Sequence, residues 1–298
     1  MLDILRLRIK RAEELSRDAL VALDFVAKSQ MSHLPKLKVG PHVAIHFHAQ
    51  TRGDHQAVVC GDTSLTYKEF DDEIIRLSRA LASLGLSSGE AVALMLPNCV
   101  EHLVAQETMP RVGALAVQVG YRLKADEIAH ILDNADPQIL IYHYSYENEV
   151  REGIAVGEYL EDSQLLVVGA PEDADVYGTR FEELLDLQST VLPRTQGAGE
   201  GGVIIYTSGT TGKPKGATRS WKDTGMISVA DMMAQTGMRN DDRHLVVCPL
   251  YHSAALAFAK MMSSLGATIV LADQFDPKAV LALIEQEKIT CAFMVPTM

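Results

Sequence analysis

The sequence predicts an α/β protein in which mostly parallel sheets are flanked by helices. Short apolar runs of strand length alternate with longer segments whose apolar residues recur every three or four positions. The strand-like runs are apolar throughout, which is typical of parallel strands covered on both faces. With 298 residues, 47% hydrophobic and 22% charged, the chain has the composition of a folded globular protein. Its length is that of about two domains.

The first 40 residues form a separate basic segment. Their apolar spacing predicts a helix over 2–30, and residues 1–40 carry eight Lys or Arg against five Asp or Glu. We interpret 1–40 as a basic helical N-terminal extension and 41–298 as the main domain, with a boundary at Gly40-Pro41. Because acids interrupt the basic face, we expect the helix to pack on its own domain. Weak contact of residues 2–30 with an anionic membrane surface is the alternative.

Composition also limits what the chain does. The net charge of −12 argues against binding of nucleic acid by the chain as a whole. No apolar run approaches the ~20 residues that span a bilayer. The charged N-terminus does not resemble a secretory signal. We therefore expect a cytoplasmic protein, with peripheral membrane association as the alternative.

Neither the cysteines nor the histidines have metal-site spacing. We expect four buried free thiols, since the cysteines lie far apart beside apolar residues: Cys60, Cys99, Cys248 and Cys291. His42 and His46 stand one helical turn apart, and His48 follows. The stretch lacks the Glu of an H-E-x-x-H site, so we interpret these histidines as packing or surface residues.

The first part of the main domain begins with a β-hairpin around Gly61-Asp62, with strands at 57–60 and 64–66. A strongly periodic helix follows at 67–84 and ends at Gly85, a natural helix cap. The alternation then predicts two helices and four strands, namely helices at 99–109 and 125–132 and strands at 91–96, 114–117, 138–141 and 165–168.

The alternation pauses over 171–202, where 197–202 has the composition of a linker. It resumes with a strand at 203–205 and then with three helices and three strands, namely helices at 221–236, 253–263 and 277–287 and strands at 244–247, 267–271 and 291–294. Two halves joined near residue 200 predict two sheets or subdomains.

A donor-rich loop follows the strand predicted at 203–205. Residues 206–216 read Tyr-Thr-Ser-Gly-Thr-Thr-Gly-Lys-Pro-Lys-Gly, with three glycines, four Ser or Thr hydroxyls and two lysines. Glycines let backbone N–H groups approach a ligand, hydroxyls donate to phosphate oxygens, and lysines neutralise phosphate charge. The loop therefore predicts a polyphosphate site, and a solvated Gly/Ser/Thr linker is the alternative.

This loop is not a Walker A motif. That motif requires Ser or Thr after its Gly-Lys pair, whereas Pro214 follows Gly212-Lys213. Its first glycine would stand at the position of Thr207. The sequence thus indicates a phosphate loop of another kind.

The stretch 206–216 resembles the signature loop of the adenylate-forming (AMP-binding) enzymes, which include acyl-CoA synthetases, peptide-synthetase adenylation domains and luciferases. Other segments are similar to shared blocks of that family: Leu65–Phe70, Gly89–Asn98, Gly113–Ile141 and Pro249–Ser253. The likeness covers about residues 50–298. It implies a partial N-terminal, nucleotide- and acyl-binding domain of an acyl-CoA synthetase of the fatty-acid–CoA ligase type.

The resemblance implies a two-step ligation. A carboxylic acid, most simply a fatty acid, attacks the α-phosphorus of ATP to give an acyl-adenylate, and the thiol of coenzyme A then takes the acyl group. The family uses Mg²⁺ with ATP. The partners implied are thus the acid, ATP and CoA, and no nucleic acid.

Site residues follow from the same resemblance. The phosphate-binding residues it implies are Thr207, Ser208, Gly209, Thr210, Thr211, Gly212, Lys213 and Lys215. His252 is implied to border the pocket of the acid.

The sequence departs from the family pattern at several positions. Gln118 and Gly120 stand where the family usually has Pro and Asn, and Trp221 stands where His is common. The sequence given stops at Met298, before the family's Tyr-Gly-x-Thr-Glu and Thr-Gly-Asp segments and its catalytic lysine. We therefore expect a fragment lacking the C-terminal half, and we assign it no catalytic residue and no metal ligand.

Two other interpretations stay open. The chain could be a non-catalytic nucleotide- or acyl-binding module or an interaction protein. It could also belong to another adenylating enzyme of the peptide-synthetase type. The acyl class, the acceptor thiol and the oligomeric state do not follow from the sequence.

Overall fold

The computed structural model describes residues 43–157, 160–192, 201–207, 215–220, 232–233 and 235–298. The helix predicted at 2–30 and most of the helix predicted at 221–236 lie outside these ranges. The division into a basic extension over 1–40 and a main domain over 41–298 stays a prediction. Among the described helices, none combines the length and apolar character needed to cross a membrane.

Where a helix was predicted in the described ranges, most of its bounds lie within one or two residues of the observed ones. The helices are α1 (Val43–Thr51), α2 (Tyr67–Ser83), α3 (Val100–Val112), α4 (Ala125–Ala135), α5 (Glu147–Gly157), α6 (Phe181–Asp186), α7 (Ser253–Leu265) and α8 (Pro277–Gln286). The start of α2 is fixed by a capping box, in which Thr66 and Glu69 exchange hydrogen bonds. The helices α1, α5 and α6 were not predicted.

The strands are short, and several of them, such as Ala91–Met95 and Thr268–Leu271, are buried over their whole length. They are β1 (Gln56–Cys60), β2 (Thr63–Thr66), β3 (Ala91–Met95), β4 (Leu115–Gln118), β5 (Ile139–His143), β6 (Leu165–Val168), β7 (Thr179–Arg180), β8 (Gly202–Thr207), β9 (Lys215–Ser220), β10 (Arg243–Val246), β11 (Thr268–Leu271) and β12 (Cys291–Phe293). The strands β7 and β9 were not predicted.

The described strands form two sheets, as predicted. The large sheet has the order β7-β6-β5-β3-β4-β8-β9 and is parallel except for β9. The small sheet has the order β12-β10-β11-β1-β2 and is parallel except for β2. The fold prediction, mostly parallel sheets flanked by helices, is confirmed.

The prediction that the sheets divide near residue 200 is wrong. The hairpin β1–β2 comes early in the chain but joins the small sheet, where β1 pairs with β11. Conversely, β8 and β9 follow residue 200 and complete the large sheet. Local patterns predicted most strands, but sheet membership depends on pairings between residues far apart in the chain.

Five layers result from this arrangement. One core cluster joins the facing sides of both sheets with α1, α2, α3 and α7, and contains for example Ile74, Leu103 and Leu256. The outer side of the large sheet packs on α4 and α5. The outer side of the small sheet packs on α8 through Val280. The helices between the sheets are thus covered on both sides. A polar side chain buried in this layer therefore needs a hydrogen-bond or ion-pair partner within the protein.

Helix α3 continues past a proline because of one such polar group. The prediction ended this helix at 109, but it runs to Val112 with Pro110 inside. A proline has no N–H to donate to the carbonyl four residues earlier, which here is Gln106. The ammonium group of Lys260 on α7 donates to that carbonyl at 3.0 Å, and it also pairs with Glu107 at 3.1 Å. The buried carbonyl is therefore satisfied from a neighbouring helix.

A buried ion network joins α1, α2 and α3. Asp71 is hydrogen-bonded to His46 at 2.6 Å and pairs with Arg111 at 2.7 Å. Burial opposes ionisation of Asp71, but the hydrogen bond with His46 and the charge of Arg111 hold the pKa of this carboxyl below its usual value. The nearby His48 donates to the carbonyl of Ser264 at 2.9 Å. His46 and His48 are thus packing residues, and His42 lies outside the described residues.

The cysteines are free thiols, but only Cys248 is buried. The prediction of burial is therefore wrong for Cys60, Cys99 and Cys291, which are partly exposed. Cys60 is the last residue of β1, Cys291 is the first residue of β12, and Cys99 directly precedes α3, so each lies at the margin of an element although its sequence neighbours are apolar.

Candidate functional site

The carboxyl ends of β3, β4 and β8 lie side by side in the large sheet. Gln118 at the end of β4 is in register with Leu94 on one side and with Ile205 on the other. The segments that leave these strands therefore start next to one another. In parallel α/β sheets, this edge is where ligands bind.

The predicted phosphate loop leaves the sheet at this edge. Thr207 is the last residue of β8 and is paired with Lys215, the first residue of β9. The loop thus connects two antiparallel neighbours. Lys215 is exposed. The other predicted phosphate-binding residues lie outside the described residues: Ser208, Gly209, Thr210, Thr211, Gly212 and Lys213.

A single buried side chain joins this edge to the small sheet. Asn98 follows β3, and its amide nitrogen donates to the carbonyls of Cys248 at 3.2 Å and Ala272 at 3.0 Å. Its amide oxygen accepts from the backbone N–H of Leu250 at 2.9 Å. Cys248 and Leu250 follow β10, and Ala272 follows β11. The carboxyl ends of strands from both sheets therefore meet at Asn98.

Aromatic side chains gather where the two sheets meet. We call Tyr121, Tyr146, Tyr251 and His252 the aromatic cluster. Tyr121 stacks on Tyr146 and contacts Tyr251 edge-on, with ring centroids 5.2 Å apart in both pairs. The rings of Tyr251 and His252 are 4.3 Å apart. His252, predicted to border the acid pocket, is thus placed beside residues that follow β4 and β5 of the large sheet.

Gly120 leaves space against this cluster. Its backbone does not have a positive φ, so no turn geometry requires glycine here. A Cβ atom at this position would lie 3.4 Å from the ring of Tyr251. The glycine therefore exposes one side of that ring, where the family resemblance would place an asparagine.

Arg122 contributes a positive charge beside the aromatic cluster. Arg122 lies over the ring of Tyr121, with its guanidinium carbon 5.9 Å from the ring centroid. Partial burial lowers the pKa of His252, and the positive charge of Arg122 lowers it further. Burial raises the pKa of Tyr146 to about 12. At neutral pH the four residues of the cluster are therefore uncharged, and Arg122 lies beside them as a cation.

The turn that carries Asn98 is held by a buried histidine. His102 is fully buried and donates through Nδ1 to the carbonyl of Pro97 at 2.9 Å. Its Nε2 lies 3.4 Å from the side-chain amides of both Gln118 and Gln106. Burial lowers the pKa of His102 to about 4, although the bond to Pro97 opposes this shift. His102 is therefore neutral under ordinary conditions.

His102 is expected to make the fold acid-sensitive. The folded pKa lies below the ordinary value of 6.5, so the unfolded chain takes up the proton first. Its contribution to stability is complete above pH 6.5 and is lost as the pH falls toward 4. Between pH 7 and 4.5 we expect the free energy of unfolding to drop by about 2 to 3 kcal/mol from this group. Urea denaturation at both pH values measures it.

The matched variant is His102→Gln, which cannot titrate. It should show a smaller loss of stability between pH 7 and 4.5 than the unaltered chain. His244, whose pKa burial also lowers to about 4, stays in both proteins and accounts for the acid sensitivity that remains. An equal pH dependence in both proteins would contradict the assignment to His102.

Sequence reasoning placed the phosphate loop and His252 but gave no role to Asn98, Tyr121, Arg122 or Tyr251. All four stand within five residues after the end of a predicted strand, which was the available signal. Among the described residues, no three His, Cys, Asp or Glu side chains come together to bind a metal ion. A magnesium ligand is therefore not assigned to this part of the chain.

Comparison with known proteins gives a consistent result. The chain is 33% identical over 243 residues to a feruloyl-CoA synthase from an Amycolatopsis species, which covers 81% of this chain and 46% of that protein. It is 30% identical over 245 residues to the long-chain-fatty-acid–CoA ligase FadD13 of Mycobacterium tuberculosis, covering 79% and 45% of the two chains. The chain thus spans about half the length of these relatives.

A similar solved structure is the inhibitor-bound N-terminal domain of FACL13 from Mycobacterium tuberculosis. It has 26% identity and a TM-score of 0.72, and the match covers 87% of this chain and 63% of that one. Residues 45–298 match the family model described as AMP-binding enzyme. The match covers most of the chain, and it agrees with the motif at 206–216 and with the two sheets. The chain therefore belongs to the AMP-binding enzyme family.

Proposed function

We propose that the protein activates a carboxylic acid with ATP and transfers the acyl group to coenzyme A, and that this chain supplies its nucleotide- and acyl-binding part. The family and the acyl-CoA ligases among its relatives support the reaction class. The relatives named above act on an aromatic acid and on fatty acids according to their names. Fatty acids, which the sequence predicts, are therefore one of two acyl classes to test, and aromatic acids are the other.

One observation carries the proposal. The exit of the phosphate loop at Thr207 and the aromatic cluster with His252 belong to segments that follow strand ends, and Asn98 fixes the two sheets at that edge. A nucleotide bound by the loop and an acid bound beside His252 would thus approach each other at this edge. Holding two reactants in this way removes much of the entropic barrier to their reaction.

The chemistry requires charge stabilisation more than acid–base catalysis. An oxygen of the carboxylate attacks the α-phosphorus of ATP, the bond to the β-phosphate oxygen breaks, and pyrophosphate leaves with the electron pair. The hydroxyls of Ser208 and Thr210 and the ammonium group of Lys213 would hold the β- and γ-phosphates as negative charge develops on them. In the second step, the thiol sulfur attacks the acyl carbon, the bond from that carbon to the phosphate oxygen breaks, AMP leaves with the electron pair, and the thiol proton is released to solvent. The neutral ring of His252 would border the acid in both steps.

Mg²⁺ is proposed as the partner of ATP on family grounds. It would neutralise phosphate charge as a Lewis acid. The described residues contain no converging set of carboxylates or histidines that fits it. No step is therefore assigned to metal ligands of this chain.

The test is carboxylate-dependent exchange of pyrophosphate into ATP, with aliphatic acids of increasing length and with aromatic acids such as ferulate and benzoate. Direct binding of ATP is measured in parallel on the same preparation. Exchange with one acid would support the proposal and name its acyl class. ATP binding without exchange would restrict this chain to a binding part of a longer enzyme. Absence of both would favour the interaction-protein interpretation over catalysis.

The substrate and the acceptor of the acyl group distinguish an acyl-CoA ligase from the remaining alternative. An adenylating enzyme of the peptide-synthetase type would exchange pyrophosphate with amino acids and would not release an acyl-CoA. The same panel therefore includes amino acids.

Lys213→Ala is expected to weaken ATP binding about tenfold, because one charge-assisted contact to phosphate is lost. The free energy of unfolding should change by less than about 0.5 kcal/mol, since a loop lysine contributes little packing. Titration calorimetry with ATP and urea denaturation measure the two quantities. Lys68→Ala is the control, because it removes the same charge from an exposed lysine that pairs with Asp72 in the first part of α2. An unchanged affinity for ATP in Lys213→Ala would contradict the phosphate-loop assignment.

A further inference from the structure

Arg122 is an exposed arginine at the carboxyl edge of the large sheet, and the proposed reaction does not yet use it. It lies in the segment between β4 and α4. Its guanidinium group lies over the ring of Tyr121. Among the described residues, no carboxylate oxygen lies within 4.0 Å of its guanidinium nitrogens.

Arg52, Arg79 and Arg219 likewise show no carboxylate partner among the described residues, although Arg52 and Arg79 donate to backbone carbonyls. Most other described arginines pair with a carboxylate, namely Arg76, Arg111, Arg151, Arg180, Arg239 and Arg243. Acidic residues outnumber basic ones by 39 to 27 in the sequence. Arg122 thus has N–H donors that no carboxylate of the described residues occupies, and its positive charge attracts anions.

The position of Arg122 connects the two halves of the site. Through Tyr121 and Tyr251, a continuous series of ring contacts leads from Arg122 to His252. On its other side, the segment of Arg122 leaves β4 beside β8, the strand that precedes the phosphate loop. An anion bound at Arg122 would therefore lie near the acid pocket and near the origin of the phosphate loop.

The aromatic contact favours a binding role over a purely structural one. A guanidinium group that rests on a ring keeps its N–H donors at its edge, where they form two parallel hydrogen bonds to a carboxylate or a phosphate. The ring also restricts the side chain before the ligand arrives, which lowers the entropy lost on binding. Tyr121 is itself held by stacking on Tyr146.

We propose that Arg122 binds an oxyanion of the reactants, either the carboxylate of the acid or a phosphate group of ATP. This inference rests on the proposed function, because it takes the reactants from it. A carboxylate and a phosphate would bind a guanidinium group in the same way. The experiment below therefore decides which of the two reactants supplies the oxyanion.

The test compares Arg122→Gln with the unaltered chain by titration calorimetry. The probes are ATP, benzoate and octanoate. We expect Arg122→Gln to raise the dissociation constant of one class about tenfold, as for the loss of a charged hydrogen-bonded contact. Loss of affinity for ATP alone would identify a phosphate, and loss for benzoate or octanoate alone would identify the carboxylate. Arg122→Lys keeps the charge but not the planar fork, so it should restore only part of the affinity.

Arg239→Gln is the matched control. It removes the same charge from an exposed arginine that pairs with Asp241 just before β10, at the opposite end of that strand from the site. Its affinities should equal those of the unaltered chain. If Arg122→Gln binds all three probes as tightly as this control, the inference is wrong while the proposed function stands. If the unaltered chain binds none of the probes, the proposed function fails for this chain and the assignment of Arg122 falls with it.

Discussion

Replacing Asn98 with Ala is expected to lower the free energy of unfolding by about 3 kcal/mol or more. The variant would leave three buried backbone groups without partners: the carbonyls of Cys248 and Ala272 and the N–H of Leu250. Each unsatisfied buried group costs about 1 to 3 kcal/mol. Because the same side chain joins the ends of both sheets, the variant should also bind ATP and acids more weakly even under conditions where it is folded.

Asn134→Ala is the control for this prediction. It makes the same chemical change at an exposed residue, which accepts one hydrogen bond from Tyr206 at 2.7 Å. Its free energy of unfolding should fall by less than about 1 kcal/mol. Urea denaturation of both variants gives the comparison, and ligand titration below the unfolding transition gives the effect on binding. If Asn98→Ala is as stable as Asn134→Ala, Asn98 does not hold the two sheets together.

Replacing Asp71 with Asn is expected to cost about 3 to 5 kcal/mol, because it leaves the guanidinium of Arg111 buried without a counter-ion. Asn has nearly the shape of Asp, so the loss reports charge more than volume. Arg111 is only 2% exposed, which prevents water from replacing the carboxylate. The control is Asp72→Asn, which removes a carboxylate from an exposed pair with Lys68. That change should cost at most about 0.5 kcal/mol.

The pH dependence separates Asp71 from His102. The folded pKa of Asp71 is lower than its unfolded value, so its contribution is present above the ordinary pKa of aspartate, about 3.9, and is lost as the pH falls through the lower folded value. This window lies below that of His102. Guanidinium chloride or thermal melts between pH 4 and 2 should therefore show a shallower slope for Asp71→Asn. A slope equal to that of the unaltered chain would mean that the pair with Arg111 contributes nothing to acid sensitivity.

Local patterns predicted most strands and helices because apolar periodicity and turn residues act over a few positions. The hairpin around Gly61-Asp62 and the helix that ends before Gly85 are examples. The end of α3 was missed because a proline normally stops a helix, and only Lys260, which comes much later in the chain, satisfies the freed carbonyl. Helices α1 and α6 are short, so their periodicity is weak.

The candidate site likewise has one part that the local sequence predicts and another part that depends on contacts between distant residues. The phosphate loop is one continuous stretch, and its composition alone predicts its chemistry. Asn98 is informative only together with Leu250, from which it is separated by 152 positions in the sequence. The pair of Asp71 and Arg111 likewise needs the packing of α2 on α3. Such contacts cannot be derived from one sequence, although Asn98 stands two residues after the strand predicted at 91–96, which was the available signal.

The order of the small sheet has a consequence for synthesis on the ribosome. Strand β1 pairs with β11, so that Val58 needs Ile269 as its neighbour. At about 5–20 residues per second, the chain between them takes roughly 10 to 40 seconds to make. The large sheet has all its described strands once residue 220 is made, whereas β1 and β2 still wait with one open edge. The early hairpin is therefore the segment of the nascent chain that needs protection longest, and the inner helices complete their packing only when β11 arrives.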